Sequence, residues 1–143
     1  MTQPTAWADA VALVRDESDI PVLRDRVRRL SREQGLSHVE IESLATAASE
    51  IARNVLDHAG DGFAILQPLG DGARRGVLVS IRDAGHGIAD LELALHDGYS
   101  SRGSLGLGLA AARRMVDEFS IESTPGAGTV VTLKHWARRT PRD

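Results

Sequence analysis

The sequence contains no cysteine, and this absence excludes disulfide bonds, zinc–thiolate centres and thiol nucleophiles. Aromatic residues are scarce at 3%, so the core is expected to be mainly aliphatic. The single lysine, Lys134, lies near the end of the sequence, which rules out the phosphate-binding motif Gly-x-x-x-x-Gly-Lys-Ser/Thr. The formal net charge of −3 gives no general electrostatic attraction to nucleic acid or to an anionic membrane.

No apolar run approaches the ~20 residues that cross a bilayer. The N-terminal MTQPTAWADA lacks the basic-then-apolar order of a signal peptide. We therefore expect a cytoplasmic protein. A chain of 143 residues is expected to form one domain, over residues 1–143. Such a domain buries roughly two-thirds of the surface that its unfolded form exposes.

The first part of the chain predicts a strand followed by a helix. The strand is indicated by AVALV at residues 10–14. The helix begins at Ser18 or Asp19, both suitable N-caps, and ends near Gly35. Its apolar residues recur at helical spacing: Val22, Leu23, Val27 and Leu30. This stripe suits either the core or a dimer interface, and both interpretations stay open.

A second helix is predicted between a capping box, Ser37 to Glu40, and Gly60. Its buried side is indicated by an apolar stripe: Leu44, Ala47, Ala48, Ile51 and Val55.

Glu50 and Asn54 lie beside this stripe, four residues apart, and project from nearly the same side of the helix. Asp57 and His58 could reach that side from the end of the helix. A glutamate and an asparagine at this spacing are common on solvated helices. The pair therefore indicates a functional site only if other motifs of such a site occur in the sequence.

The second half of the chain alternates strands with one helix. Strands are predicted at residues 63–66, 77–81, 120–123 and 129–136, and a third helix at 107–119. Strict alternation of strands and helices is missing. The fold class is therefore an α/β (α+β) two-layer sandwich, with helices on one face of a mixed, mainly antiparallel sheet, rather than a doubly wound fold.

One glycine-rich stretch follows a predicted strand, and another leads into the third predicted helix. After residues 77–81, Asp83, Gly85 and Gly87 form Asp-x-Gly-x-Gly. The aspartate could accept a hydrogen bond from an amine-bearing ring, and the glycines could admit a flat ligand. The alternative is a turn in which the glycines only supply positive φ angles. Both interpretations stay open on these residues alone.

The stretch Gly103-Ser-Leu-Gly106-Leu-Gly108 runs from a loop into the third helix. Backbone N–H groups at such a helix start suit a phosphate group, and the alternative is a flexible loop. A dinucleotide-binding interpretation of Gly106-x-Gly108-x-x-Ala111 is rejected, because the pattern follows a long polar loop instead of a strand.

Four motifs in this order resemble the conserved boxes of the GHKL ATPase superfamily. They are Glu50-x-x-x-Asn54, Asp83-x-Gly85-x-Gly87-Ile88, Gly103-x-x-Gly106-x-Gly108-Leu109 and Gly128-Thr129. The resemblance covers about residues 10–136. Within the superfamily, the chain is most similar to the serine-protein kinases of bacterial partner-switching systems. Stressosome switch kinases are the nearest group, and anti-sigma-factor kinases are close neighbours.

This resemblance implies a Bergerat fold that binds ATP and Mg²⁺. Asn54 would bind Mg²⁺, and Glu50 would orient or deprotonate the attacking hydroxyl as the catalytic residue. Asp83 would accept a hydrogen bond from the adenine amino group, with Thr129 supporting it. The other implied nucleotide-binding residues are Gly85, Gly87, Ile88, Arg102, Gly103, Gly106, Leu107, Gly108 and Leu109. Arg102 has no family arginine in register, because the segment from Ile88 to Gly103 is short.

The implied function is an ATP-dependent serine/threonine kinase that phosphorylates a STAS-domain antagonist protein. A sigma factor, a phosphatase and a second copy of the chain are further candidate partners. One alternative is a non-catalytic binding module, such as an anti-sigma factor, for which ATP is structural. The other is ATP hydrolysis that drives a dimer.

Overall fold

The computed structural model describes residues 10–85 and 105–138. Strands and helices in that part of the chain alternate irregularly. In chain order they are β1 (Val11–Val14), α1 (Asp19–Glu33), α2 (His38–His58), β2 (Gly62–Asp71), β3 (Arg74–Asp83), α3 (Leu105–Met115), β4 (Glu118–Thr124) and β5 (Gly128–Trp136).

The strands form one sheet in the order β1-β2-β3-β5-β4. All four pairings between these strands are antiparallel. Alternate strand residues such as Leu66, Val79 and Leu133 face the helices and are at most 4% exposed. On the opposite face, Leu13 and Phe63 are 54% and 38% exposed. The predicted two-layer sandwich with helices on one face is therefore confirmed. Within residues 10–85 and 105–138, no helix combines the length and the apolar character needed to cross a membrane.

Helix α2 begins and ends as its sequence predicts. The Glu40 N–H donates to Ser37 Oγ (3.2 Å), and the Ser37 N–H donates to Glu40 Oε1 (2.7 Å), which completes the capping box. At the other end Gly60 has a φ of +93°, and its N–H donates to the Val55 carbonyl (2.9 Å). These contacts set the first and last residues of α2.

The apolar stripe of α1 belongs to the core. Val27 is fully buried, and Leu30 packs against the core from a half-buried position. Val22 is instead 47% exposed and lies outside this buried stripe. Of the two interpretations that the sequence left open, the structure therefore supports the core for Val27 and Leu30.

The predicted end of the third helix and the predicted lengths of two strands are wrong. The third helix ends at Met115 instead of residue 119, because Phe119 alternates with Ile121 as a strand residue of β4 and lies opposite Leu133. The hairpin strands β2 and β3 are also much longer than predicted, and pair down to Asp71 opposite Arg74. Most of the residues that lengthen the two strands toward the turn are polar or glycine, so the apolar pattern that defined the shorter strands stops before the backbone pairing does.

A buried hydroxyl in α1 gives a stability prediction. Ser31 is fully buried, and its Oγ has no hydrogen-bond partner among the residues described. We expect Ser31→Ala to raise the free energy of unfolding by about 1 kcal/mol, because it removes an unpaired polar group and improves helix propensity. Urea denaturation monitored by circular dichroism measures this change.

The matched control is Ser49 in α2, whose hydroxyl is paired. It donates to the Ala45 carbonyl (2.8 Å) and accepts a hydrogen bond from Arg24 Nε (3.0 Å). Ser49→Ala should therefore lower the free energy of unfolding, the opposite direction to Ser31→Ala. A loss of stability in both variants would show that the Ser31 hydroxyl is satisfied in solution.

Candidate functional site

Helix α2 presents the first group of candidate site residues. Asn54 is 7% exposed and Glu50 is half-buried, one helical turn or about 6 Å earlier. Ile51 and Val55, at most 4% exposed, pack into the core and so fix the rotation of the helix. The polar pair therefore lies at the margin of the core, as the sequence predicted.

Asp83 is the last residue of β3 and lies opposite Thr129 of β5. Its Oδ1 accepts a hydrogen bond from the Gly85 N–H (2.8 Å), which turns the chain just after the strand. A carboxylate has about four lone-pair sites, so this turn leaves capacity to accept a second donor. The half-buried Asp83 side chain can thus shape the turn and also bind a ligand amine.

Gly85 is required by a close approach to helix α2. A Cβ at this position would lie 2.6 Å from the Cβ of Ala59, which is closer than real atoms come. Its φ is not in the positive range, so the turn interpretation does not explain this glycine. The end of α2 occupies the space that a side chain at position 85 would fill. Contact between Gly85 and a ligand stays a prediction.

Helix α3 meets α2 at Gly108. A Cβ on Gly108 would lie 3.1 Å from Asn54 Nδ2 and 3.2 Å from Asn54 Oδ1, so the glycine allows the α3 backbone to approach the amide. Gly106 lies in the first turn of the same helix. Leu109 is 2% exposed and belongs to the core, so the structure gives it a packing role. The motif that begins at Asp83 therefore approaches α2 at Ala59, through Gly85, and the motif that ends at Leu109 approaches it at Asn54, through Gly108.

The start of β5 lies beside the end of β3 and adds Gly128 and Thr129 to the candidate site. Gly128 has a φ of +108°, and a Cβ there would lie 2.2 Å from the Asp83 carbonyl oxygen. Only glycine allows the two strands to approach at this point. The hydroxyls of Thr129 and Ser123 share a hydrogen bond of 2.8 Å. Thr129 therefore lies between Asp83 and Ser123 across three adjacent strands.

Sequence reasoning missed Ser123. It lies opposite Thr129 in the β4–β5 hairpin, so its register could have been read from the short turn between the two strands. It fixes the Thr129 hydroxyl, which the sequence did single out. Gly87, Ile88, Arg102 and Gly103 lie outside the described residues, as does the side chain of Leu107. Their predicted contacts with a nucleotide stay predictions.

The Asn54 amide fits a nucleotide with its magnesium ion. Asn54 Nδ2 is buried and has no hydrogen-bond partner within the part of the chain that the structure describes. It could donate to a phosphate oxygen, while an amide oxygen is a ligand type that Mg²⁺ accepts. No cluster of three or more His, Asp or Glu residues that could hold a metal occurs among the described residues. A single amide suits Mg²⁺, which is commonly held by few protein ligands together with substrate phosphates and water.

The fold is an α/β sandwich in which the candidate site residues lie at the margin of helix α2 and at one end of the sheet, an arrangement suited to a nucleotide. A model of the histidine kinase-like ATPase domain matches residues 13–135. The chain belongs to this family.

Within and beyond this family match, the chain is similar to two relatives and to one solved structure. It is 35% identical over 125 residues to the serine/threonine-protein kinase RsbT of Bacillus subtilis strain 168, covering 87% of this chain and 94% of the relative. It is 30% identical over 100 residues to the anti-sigma F factor of Thermoanaerobacter sp. strain X514, covering 66% and 68%. The mycobacterial sensor histidine kinase MprB has the same fold, with a TM-score of 0.52 at 20% identity, covering 70% and 74%.

Proposed function

We propose that this protein is an ATP-dependent serine/threonine kinase of a partner-switching system and that it phosphorylates a STAS-domain antagonist protein. The observation that carries the proposal is the buried Asn54 amide, packed against Gly108 of α3, with Glu50 one turn away on the same helix. The similarity to RsbT, a serine/threonine-protein kinase, supports a protein hydroxyl as the acceptor.

The chemistry assigned to each residue follows from its place. Asp83 accepts a hydrogen bond from the adenine amino group, and Thr129, fixed by Ser123, supports it. The Asn54 amide nitrogen donates to a phosphate oxygen, and the Asn54 amide oxygen would coordinate Mg²⁺. The metal, when bound, neutralises charge on the phosphates. Phosphoryl transfer asks the protein mainly for such positioning and charge stabilisation.

Glu50 acts on the acceptor. Its carboxylate takes the proton of the attacking serine or threonine hydroxyl as the hydroxyl oxygen bonds to the γ-phosphorus. The bond from that phosphorus to the bridging oxygen breaks, and ADP leaves with the bond electrons. The products are a phosphoprotein and ADP, and the proton passes from Glu50 to water. The half-buried position of Glu50 leaves its carboxylate within reach of a docked protein.

The second candidate function is a non-catalytic binding module that uses ATP structurally. It is favoured by the 30% identity to an anti-sigma F factor. For either function we propose a cytoplasmic protein whose other partners are a sigma factor or a phosphatase, with a homodimer as the candidate assembly.

A transfer assay separates the two functions. The protein is incubated with γ-labelled ATP, Mg²⁺ and purified STAS-domain proteins of the same organism. We expect label on at least one of them. The matched control is that protein with its candidate serine or threonine changed to alanine, which should stay unlabelled. ATP binding without transfer to any STAS-domain protein would overturn the kinase proposal and favour the binding module.

A further inference from the structure

Trp136 is fixed at the end of the sheet opposite to the candidate nucleotide site. It is the last residue of β5 and pairs with Gly76 of β3. A Cβ on Gly76 would lie 2.9 Å from Trp136 Cε3, so the glycine allows the indole to lie against the β3 backbone. The indole N–H donates to Glu118 Oε2 (2.7 Å), and the Arg74 guanidinium carbon lies 4.0 Å from the ring centroid. The half-buried indole therefore has a defined orientation in the free chain.

Arg138 is oriented beside this indole by two carboxylates. Its backbone N–H donates to Glu40 Oε2 (3.2 Å), and its Nε lies 3.5 Å from the same oxygen. Its Nη2 lies 3.7 Å from Asp117 Oδ1. The Arg138 side chain is 70% exposed, whereas those of Glu40 and Asp117 are 9% and 27% exposed. The guanidinium is therefore open to solvent, while the carboxylates that orient it are largely covered.

A cleft of about 580 Å³ opens at this end of the sheet. Its lining consists of Arg74, Asp117, Glu118, Trp136, Ala137 and Arg138. Tryptophan and arginine are enriched in protein interfaces and are frequent among the residues that dominate binding energy. Side chains whose orientation is already fixed also lose less entropy when a partner binds. The cleft therefore has the composition and the preset side-chain orientations of a protein docking site.

The basic groups of the cleft are available to a partner, and its acidic groups are partly engaged. The Arg74 side chain is 49% exposed, and its ion pair with Asp71 is long at 3.9 Å, so exchanging that partner for another carboxylate costs little. Asp117 Oδ2 accepts the Trp136 backbone N–H (2.9 Å), and Glu118 Oε2 accepts the indole N–H. Two exposed guanidinium groups on either side of an indole fit clustered carboxylates.

We infer that this cleft is a docking surface for an acidic segment of a partner protein. The carboxylates of the segment pair with Arg74 and Arg138, and an apolar side chain between them packs on Trp136. Strand β3 runs from Arg74 to Asp83, so the cleft lies about 30 Å from the sheet end of the candidate nucleotide site. A partner can therefore dock here while a nucleotide is bound, and the inference does not depend on the proposed function.

A hexaglutamate peptide tests this surface on the 143-residue chain. The sequence holds two tryptophans, so Trp7→Phe leaves the indole N–H of Trp136 as a single signal in a proton–nitrogen correlation spectrum. We expect the peptide to shift this signal saturably, and less at high salt. Arg138→Gln and Arg74→Gln should each weaken binding about tenfold, the effect of one charge-assisted hydrogen bond.

Glu118→Gln distinguishes an acidic partner from a basic one. The amide oxygen can still accept the indole N–H, but one negative charge is removed. Affinity for hexaglutamate should therefore rise about two- to fivefold, the effect of one exposed charge pair. The matched control is Arg32→Gln, which changes an exposed arginine in the last turn of α1 and should leave the affinity unchanged.

Four results would overturn the inference. The first is no shift of the Trp136 indole signal at millimolar hexaglutamate, and the second is tighter binding of hexalysine at the same signal. The third is an equal loss of affinity in Arg32→Gln and Arg138→Gln, which would show unspecific attraction to arginine. The fourth is a six-nucleotide oligothymidine that binds more tightly at the same signal, which would assign the cleft to nucleic acid. The measurement contains no ATP, so failure of the proposed kinase activity would leave its outcome unaffected.

Discussion

Glu50→Gln is expected to reduce phosphate transfer to the STAS-domain substrate by about 10²–10⁴-fold, the usual contribution of a general base. The amide has nearly the shape of the carboxylate, and the half-buried site should accept it without loss of fold. ATP affinity should change little, because the carboxylate acts on the attacking hydroxyl and not on the nucleotide. Single-turnover transfer and calorimetry measure the two quantities separately.

The control for this variant is Glu33→Gln, which changes an exposed glutamate at the end of α1 and should leave transfer unchanged. Near-normal transfer by Glu50→Gln would exclude Glu50 as the base. Equal losses of transfer and of ATP affinity would show that Glu50 acts in nucleotide binding instead.

Asn54→Leu is expected to weaken binding of Mg²⁺–ATP by roughly ten- to a hundredfold, the effect of losing a hydrogen bond to a charged group. The same substitution should keep or raise the stability of the free protein, because it replaces a buried amide nitrogen that has no partner among the described residues with an apolar group of similar size. Affinity and stability therefore change in opposite directions. Calorimetry with ATP and urea denaturation without ligand measure them.

Gln34→Leu provides the matched control, since Gln34 is a buried amide that is fully paired. Its Nε2 donates to the carbonyls of Leu69 and Gly76 (3.0 and 2.9 Å), and its Oε1 accepts from Arg75 (2.8 Å). This variant should lose stability by about 1–3 kcal/mol and keep its ATP affinity. If Asn54→Leu behaved in the same way, Asn54 would be a structural residue.

Helix α2 shows how much the sequence can specify. The capping box at Ser37 and Glu40, the stripe around Ile51 and the terminal Gly60 all depend on spacing within the chain. Local rules predict such features because their partners are three to five residues away. The side of α2 that carries Glu50 and Asn54 followed from the same spacing.

Contacts between distant segments could not be predicted in this way. The packing of Gly108 against Asn54 and of Gly85 against Ala59 depends on how three elements meet in space. That Asn54 Nδ2 has no hydrogen-bond partner among the described residues is likewise a property of the folded environment. Helix α3 was predicted too long because Phe119 satisfies both the helical spacing and the strand alternation, and only pairing with β5 decides between them.

The central claim is that the site around Asn54 binds ATP together with magnesium, and titration calorimetry on the purified wild-type protein tests it most directly. The account predicts a saturable signal for one nucleotide per chain in the presence of Mg²⁺, weakened by Asn54→Leu and unchanged by Gln34→Leu. No measurable binding of the magnesium–ATP complex at millimolar concentration, by a protein shown to be folded, would contradict it.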